Sequence, residues 1–377
     1  MPGEIMIVTG EASGDLYGSL LASELGAMAP HIRLVGVGGE AMRRAGVEIL
    51  LDSGEISVVG VWEALVRIGR LRKALNRIKG EIYDRRPDLL VLVDYPGMNL
   101  RLAGFAKRIG VRVMYYISPQ VWAWGKGRIG LIKRSVDKMV VILPFEVELY
   151  KREGVDVTYV GHPLIDIVRT EIDREAFSAK IGMVAGERLV ALLPGSRRQE
   201  IKQHMRPLME TAAILRRSVA GIRFVMVTLP SSEGIVREEM GEAGGGIDVA
   251  TALRYEAIAY SDLAITCSGT VTLEAALLGT PMIVIYKLAA FSWALGRLIV
   301  RVPYISLVNL VAREMVVPEF IQAEVRPERL AGEAARLLND DERRLAVVER
   351  LGRVRSKLGP GGATRRAAEV ALTLTSK

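Results

Sequence analysis

"TCSGTVTLEAALLGTPMIVIYK", residues 266–287, contains the unit from which the fold is read. An apolar run, "LAIT" at 263–266, gives way to Ser268, Gly269 and Thr270. An apolar helix with one carboxylate, Glu274, begins there, and "PMIVIYK" follows as the next strand. Strands that are continuous hydrophobic runs separated by helices belong to a parallel sheet covered on both faces. Small residues at a strand-to-helix turn leave backbone N–H groups open, and the helix dipole adds partial positive charge, so the turn suits an anion, a phosphate above all. Glu274 lies one helical turn after Thr270, where its carboxylate can accept hydrogen bonds from vicinal hydroxyls such as those of a ribose. An ordinary capped helix looks the same, so the rest of the chain has to decide.

The same alternation runs through the whole chain. "EIMIVTG", "IRLVGVG", "DLLVLVD", "VRVMYYI" and "KMVVIL" read as strands, with helices at "GDLYGSLLASEL" and "MNLRLAGFAKRIG". After "VTYVGHPLID" at 157–166 the pattern restarts with "RLVALLPGSRRQEI", "IRFVMVTLP", "DLAITCSGT" and "PMIVIYK". This is an α/β chain of two Rossmann-like, doubly wound domains, expected at 1–165 and 166–340, with helices over 341–377. Ligands of such sheets collect at the carboxyl ends of strands. "TGEASGD", "DYPGMN", "SPQVWAWGKGR", "GHP", "PGSRRQE" and "CSGTVTLE" all fall there.

Composition narrows the partners. A chain of 377 residues is long enough for two domains, and 51 Lys and Arg against 43 Asp and Glu give a net charge of +8. Such a balance suits a polyanion: nucleic acid, an anionic bilayer or phosphorylated substrates. The lone Cys267 excludes an internal disulfide, and His31, His162 and His204 lack zinc-ligand spacing, so no metal is expected. The amino terminus lacks the basic and long apolar regions of a signal peptide, and no run reaches roughly 18 uninterrupted apolar residues, so a cytosolic topology is expected.

Several stretches carry chemistry. In "TGEASGDLYG" the spacing of Gly10, Gly14 and Gly18 is not the dinucleotide pattern; it reads either as a tight turn or as a loop approaching a phosphorylated substrate, with Ser13, Gly14, Asp15 or Glu11 facing the ligand. Gly195 and Ser196 open backbone donors, and Arg197 can neutralise a diphosphate through a planar fork of hydrogen bonds. In "DYPGMN", Asp94 ends an apolar strand and Asn99 opens the next helix. A carboxylate there can serve as general base on an acceptor hydroxyl, or cap the helix. His162 reads as an orienting or hinge residue.

"VVGVWEALVRIGRLRKALNRIK", 58–79, sets Val61, Trp62, Leu65, Val66 and Ile68 on a broad face, and Ala64 to Gly80 holds six Lys and Arg and no acid. With "LAAFSWALGRLIVRVPY" at 288–304, it makes two apolar, basic patches suited to an anionic bilayer surface, against the alternative of a core-packed helix.

Taken together, "GEASGD", "SPQVWAWGKGR", "LPGSRRQEI", "CSGTVTLEAALLGTPM", "SLVNL" and "VPEFIQ" resemble, in colinear order from residue 10 to about 324, the lipid-A-disaccharide synthases, inverting glycosyltransferases of the GT-B fold. The resemblance implies two domains facing across a cleft: an acceptor- and membrane-facing one at 1–165 and a UDP-sugar-binding one at 166–340. In many GT-B proteins the terminal helices, here 341–377, return to the first domain. It implies that UDP-2,3-diacylglucosamine donates its sugar to the 6-hydroxyl of 2,3-diacylglucosamine 1-phosphate, giving a β-1,6 disaccharide and UDP. No cofactor and no DxD-bound cation are implied. Carried over by position, Gly195, Ser196 and Arg197 look like diphosphate contacts, Ser268, Gly269 and Thr270 like a second anion site, and Glu274 like the ribose ligand. Asn309 and Gln322 fall in motifs lining the nucleotide site, Asp94 is the expected base and Asp15 its reserve. The sequence departs from the pattern at Gly97, where some members of the family have a carboxylate.

The expected setting is cytoplasmic and peripheral to the inner membrane, with a homodimer left open. A UDP-GlcNAc 2-epimerase-like enzyme of the same fold is the alternative, separated by whether an acylated donor is required. A nucleic-acid-binding protein is disfavoured because the charge is spread along the chain and no recognition module is present.

Overall fold

The computed structural model describes residues 3–55, 64–123, 126–241, 244–289, 293 and 302–375. The chain forms two compact units, Met1–Pro163 with Gly359–Lys377, and Leu164–Leu358.

In the first unit the strands are β1 (Glu4–Val8), β2 (Arg33–Gly38), β3 (Glu48–Asp52), β4 (Leu89–Val93), β5 (Arg112–Tyr116), β6 (Lys138–Val141) and β7 (Val157–Tyr159). They lie in the order β3-β2-β1-β4-β5-β6-β7, all parallel. The central strands β1 and β4 pair Ile5 with Leu89 through Val8 with Leu92, and their side chains are fully buried, as continuous apolar runs covered by helices on both faces must be.

The second unit repeats the plan with β8 (Arg188–Leu193), β9 (Ile222–Val227), β10 (Ile247–Ala250), β11 (Leu263–Cys267), β12 (Met282–Tyr286) and β13 (Glu319–Ile321), in the order β10-β9-β8-β11-β12-β13. In each sheet the order reverses beside the first strand, between β1 and β4 and between β8 and β11. The carboxyl ends at these reversals are where open α/β sheets take ligands.

The boundary between the units falls between Pro163 and Leu164. The terminal helices, expected as one group over 341–377, divide. Helix Asp341–Lys357 stays with the second unit, where Lys357 Nζ donates to the Ala312 carbonyl at 2.8 Å and Arg355 to that of Leu277 at 2.9 Å. Helix Ala363–Thr375 joins the first unit, where Arg366 donates to the Val160 carbonyl at 2.9 and 2.6 Å and Arg112 to that of Leu374 at 2.6 Å. The break lies at Gly359, whose φ of 87° is open to glycine and costly for other residues.

Helix Ala64–Arg85 places Leu75, Ile78 and Ile82 in the core of the first unit, the burial that an i, i+3, i+4 apolar stripe predicts. This part of the basic helix is therefore core-packed. Val61 and Trp62, the side chains of Leu65, Val66 and Ile68, and most of the second apolar patch lie outside the described residues. Among the described residues no helix is long and apolar enough to cross a membrane.

Candidate active site

The carboxyl ends of β4 and β5 carry strained backbone. Asp94 and Tyr95 follow β4 with φ of 47° and 46°, and Ile117 follows β5 with φ of 62°. A β-branched residue in the left-handed region is a genuine outlier, and such strain persists only where surrounding contacts enforce it. Here the contacts are explicit. The Asn99 side-chain amide donates to the carbonyls of Val93 at 3.1 Å and Asp94 at 2.7 Å, and the Tyr115 hydroxyl donates to the Asp94 carbonyl at 2.5 Å. The Asp94 amide in turn donates to the Tyr116 carbonyl at 3.1 Å, joining the two strained turns. Asn99, expected as a substrate contact, is fully buried and acts as the brace of this turn.

Beside it sits a carboxylate that sequence reading passed over. Glu146 is 2% exposed and lies in the first turn of helix Pro144–Arg152. It accepts from the Ser118 hydroxyl at 2.5 Å, the Trp122 indole N–H at 3.2 Å and the Leu143 amide at 3.2 Å. Burial pushes its carboxyl up to about 7 against these donors, and the nearby charge of Asp94 adds to the rise. Burial, with Asp94 second, also holds the Tyr115 hydroxyl well above its usual range. The signal in the sequence was Pro144-Phe145-Glu146 directly after the apolar strand "KMVVIL": proline at a helix start with an acid in the first turn at a strand's carboxyl end. His162, buried just past β7, is pushed down to about 4 by burial.

The glycine-spaced segment after β1 serves packing. A Cβ at Gly10 would lie 2.3 Å from the Tyr95 ring, one at Gly14 3.2 Å from Thr9, and one at Gly18 2.8 Å from Met42. Ser13 is exposed, while Asp15, 9% exposed, is turned inward. Its carboxylate accepts from the amides of Gly39 at 2.6 Å, Ala41 at 3.1 Å and Met42 at 3.3 Å, capping the helix Glu40–Arg44. The expectation that Asp15 stands in reserve as a base meets a carboxylate already committed to three amides.

In the second unit the turns after β8 and β11 have the chemistry of anion sites, with one surprise. Gly195 takes φ of 120°, and a Cβ there would meet Glu200 at 2.8 Å. Glu200 Oε2 accepts from the amides of Ser196 and Arg197, each at 3.3 Å, and its other oxygen accepts from the Arg197 guanidinium at 3.0 Å. The donors expected to hold a diphosphate are thus held by an internal carboxylate, the capping-box partner of helix Arg198–Ser218. The Arg197 side chain is still 73% exposed.

His204 on the same helix binds the Pro194 carbonyl through Nδ1 at 2.7 Å, and its Nε2 accepts from the Lys287 amide at 3.0 Å. That pair of bonds fixes a neutral tautomer, and burial lowers its pKa accordingly. It ties the end of β8 to the end of β12. Cys267 is buried and pushed up to about 12 by burial first, so it is an inert thiol.

After β11, Ser268 donates from its hydroxyl to the Ile305 carbonyl at 2.8 Å, and Gly269 accepts from the amide and hydroxyl of Thr272. Among the described residues none accepts from the amides of Gly269, Thr270 and Val271. Glu274 is 9% exposed, its carboxyl raised by burial and lowered by Arg254, whose guanidinium stands 3.8 Å away and 4.3 Å over the Tyr255 ring.

Asn309 is wholly internal. It donates to the Val317 carbonyl at 2.9 Å and Glu319 at 2.8 Å, and accepts from the amides of Val316 at 2.8 Å and Val317 at 3.1 Å. All its side-chain capacity is used, so it shapes the site from behind. Glu319 clamps the amides of Ile305 and Ser306, and the Ile305 carbonyl holds Ser268. Gln322 follows β13 with φ of 54° and accepts from the Leu288 amide at 3.2 Å, and its buried Nε2 has no partner among the described residues. Among the described residues no cluster of three His, Cys, Asp or Glu could hold a metal ion.

Comparison with known proteins places this architecture. The family described as "Lipid-A-disaccharide synthetase" matches residues 5–371. The lipid-A-disaccharide synthase of Trichlorobacter lovleyi is 42% identical over 380 residues, covering 100% of this chain and 98% of its own length. Among solved structures, the UDP-GlcNAc 2-epimerase of Neisseria meningitidis bound to UDP-GlcNAc superposes with a TM-score of 0.70 at 11% identity, over 98% of this chain and 100% of that one. The glycosyltransferase of kitacinnamycin superposes with a TM-score of 0.66 at 17% identity, over 99% of each chain. Structural likeness at this identity gives the GT-B fold and stops there, which is why it spans epimerases and transferases alike. Sequence likeness over the full length separates them: the chain belongs to the lipid-A-disaccharide synthase family.

Proposed function

We propose that the protein joins UDP-2,3-diacylglucosamine to 2,3-diacylglucosamine 1-phosphate by a single inverting displacement, releasing UDP and the β-1,6 disaccharide 1-phosphate. The observation that carries this reading is the donor set at the carboxyl ends of β11 and β13: the amides of Gly269, Thr270 and Val271 and the Nε2 of Gln322, which have no partners among the described residues. Turned amides fit phosphate oxygens, and Glu274, buried beside Arg254, fits a ribose diol.

In this reading Arg197 carries the charge of the departing diphosphate, with the amides of Ser196 and Arg197 joining it once Glu200 swings aside. Donors freed in this way do the work of a cation. Asp94 takes the proton of the acceptor hydroxyl, its position fixed by Asn99 and Tyr115. Asp15 braces the neighbouring helix, and Ser13 and Gly14 line the turn after β1. The apolar, basic stretches at 58–79 and 288–304 contact an anionic bilayer from which both acylated substrates are drawn. The epimerase alternative is not favoured, because the full-length relatives are synthases.

The test is to incubate purified protein with the acylated UDP-sugar and the lipid monosaccharide phosphate. Release of UDP with formation of the disaccharide is expected; turnover of UDP-GlcNAc to its 2-epimer, or no UDP release, overturns the reading.

A further inference from the structure

Glu146 has no part in the transfer as written, yet the fold commits a buried carboxylate to it. Isolating a carboxylate from water is costly unless donors compensate, and a helix cap needs no such burial. The three donors come from separate places: Leu143 from the cap of its own helix, and Ser118 and Trp122 from the turn that leaves β5. That turn begins at Ile117, whose left-handed backbone is unfavourable by itself, and its neighbour Tyr116 accepts from the Asp94 amide. Trp122 in turn stands edge-on to Phe145, with ring centroids 5.3 Å apart, so the indole is fixed at both its N–H and its face. A continuous path of hydrogen bonds and peptide units therefore runs from Glu146 through Ser118 to the backbone of Asp94.

We propose that Glu146 is a positioning residue for glycosyl transfer: by accepting from Ser118 and Trp122 it enforces the strained turn after β5, and through that turn it sets the place of Asp94. It touches neither substrate. Its role in transfer rests on the reading of Asp94 as base.

The test is steady-state kinetics of Glu146→Ala, Glu146→Gln, Ser118→Ala and Trp122→Phe, with thermal unfolding of each. Glu146→Ala is expected to lower kcat by roughly 10²-fold, the scale of a displacement of about 1 Å in a reacting group, with the KM for the UDP-sugar within about twofold of wild type. Glu146→Gln keeps an acceptor oxygen for Ser118 and Trp122 and should restore most of that loss. Ser118→Ala and Trp122→Phe should each lower kcat less, and Ser118→Ala combined with Glu146→Ala should be no worse than Glu146→Ala alone, since both break one path. Unchanged kcat in Glu146→Ala, a Gln variant as impaired as the Ala one, or effects that multiply in the double variant would each overturn the proposal. Should Glu146→Ala fail to fold, unchanged kcat in both Ser118→Ala and Trp122→Phe overturns it. Asp94→Asn in the Glu146 background separates the two readings: full activity there discards Asp94 as the base, whereas the path tested by the double variant is scored on its own.

Discussion

The two sheets have the same strand order around the reversal, yet their carboxyl ends are furnished for different work. The first unit sets Asp94 on strained backbone after β4, braced by Asn99 and Tyr115, and Glu146 in the helix after β6, bonded to Ser118. After β8, β11 and β13 the second unit gathers turned amides, an exposed guanidinium and a carboxamide whose nitrogen has no partner among the described residues. In the proposed reading one moves a proton and the other holds a polyanion. The strand order decides where chemistry can occur, and a few turn residues decide which chemistry it is.

Breaking the first half of that contrast should cost most. Asp94→Asn keeps the shape of the turn and removes the proposed base, and is expected to lower kcat by about 10²- to 10⁴-fold with little change in KM; activity near wild type would move proton transfer to another group. Arg197→Ala tests the other half. Loss of the only side-chain cation assigned to the leaving diphosphate should lower turnover by about 10²- to 10³-fold, and near-normal kinetics would leave the amides to act alone.

The contrast also predicts where folding feels pH. His162, pushed down to about 4, stays neutral in the folded chain while the unfolded chain gains a proton below its ordinary value near 6.5. Its contribution is therefore full above that value and is lost as pH falls toward 4. Glu146, pushed up to about 7, has the opposite sign: its folded form holds a proton that the unfolded chain releases, so stability falls as pH rises from about 4.5 to 7. The two slopes oppose each other in wild type. Glu146→Gln removes one of them, so its unfolding temperature should climb between pH 4 and 6.5, by the equivalent of up to about 3 kcal/mol. A variant as flat as wild type would refute this balance.

The smallest effect belongs to Gly97, where a Cβ would find nothing within 4 Å and the backbone has no special φ. Gly97→Asp places an acid in the first turn of helix Pro96–Arg108 and should stabilise the protein by about 1 kcal/mol, with kcat changed less than about threefold. A large gain in kcat would show that a second carboxylate belongs in the acidic cluster.

Legibility in the sequence followed burial. The central strands were readable because fully covered strands are continuous apolar runs: "EIMIV", "LLVLV", "RLVALL" and "LAITC". Strands β3, β10 and β13 were not read, since "EILLD", "IDVA" and "EFI" are short, carry an acid and are only partly buried at their sheet's edge or near it. Ser268–Thr270, Arg197 and Asp94 were readable as strand-end residues because they follow apolar strands closely. Glu146 was not, because a buried carboxylate looks like a surface charge until its partner Ser118, 28 residues away, is brought beside it. That Asn309 spends its whole side chain on Val316, Val317 and Glu319, and that the Asn99 nitrogen donates to the carbonyls of Val93 and Asp94, only packing reveals.

Because residues 359–377 complete the first unit, the second unit is an insertion within it. During synthesis the inserted body has all of its strands before helix Ala363–Thr375 emerges, whereas its host must wait for that helix to cover helix Ala12–Met28. The unit that bears Asp94 and Glu146 is thus the last to be completed, and a released chain ending at residue 358 would hold every element of the second unit and lack the last helix of the first.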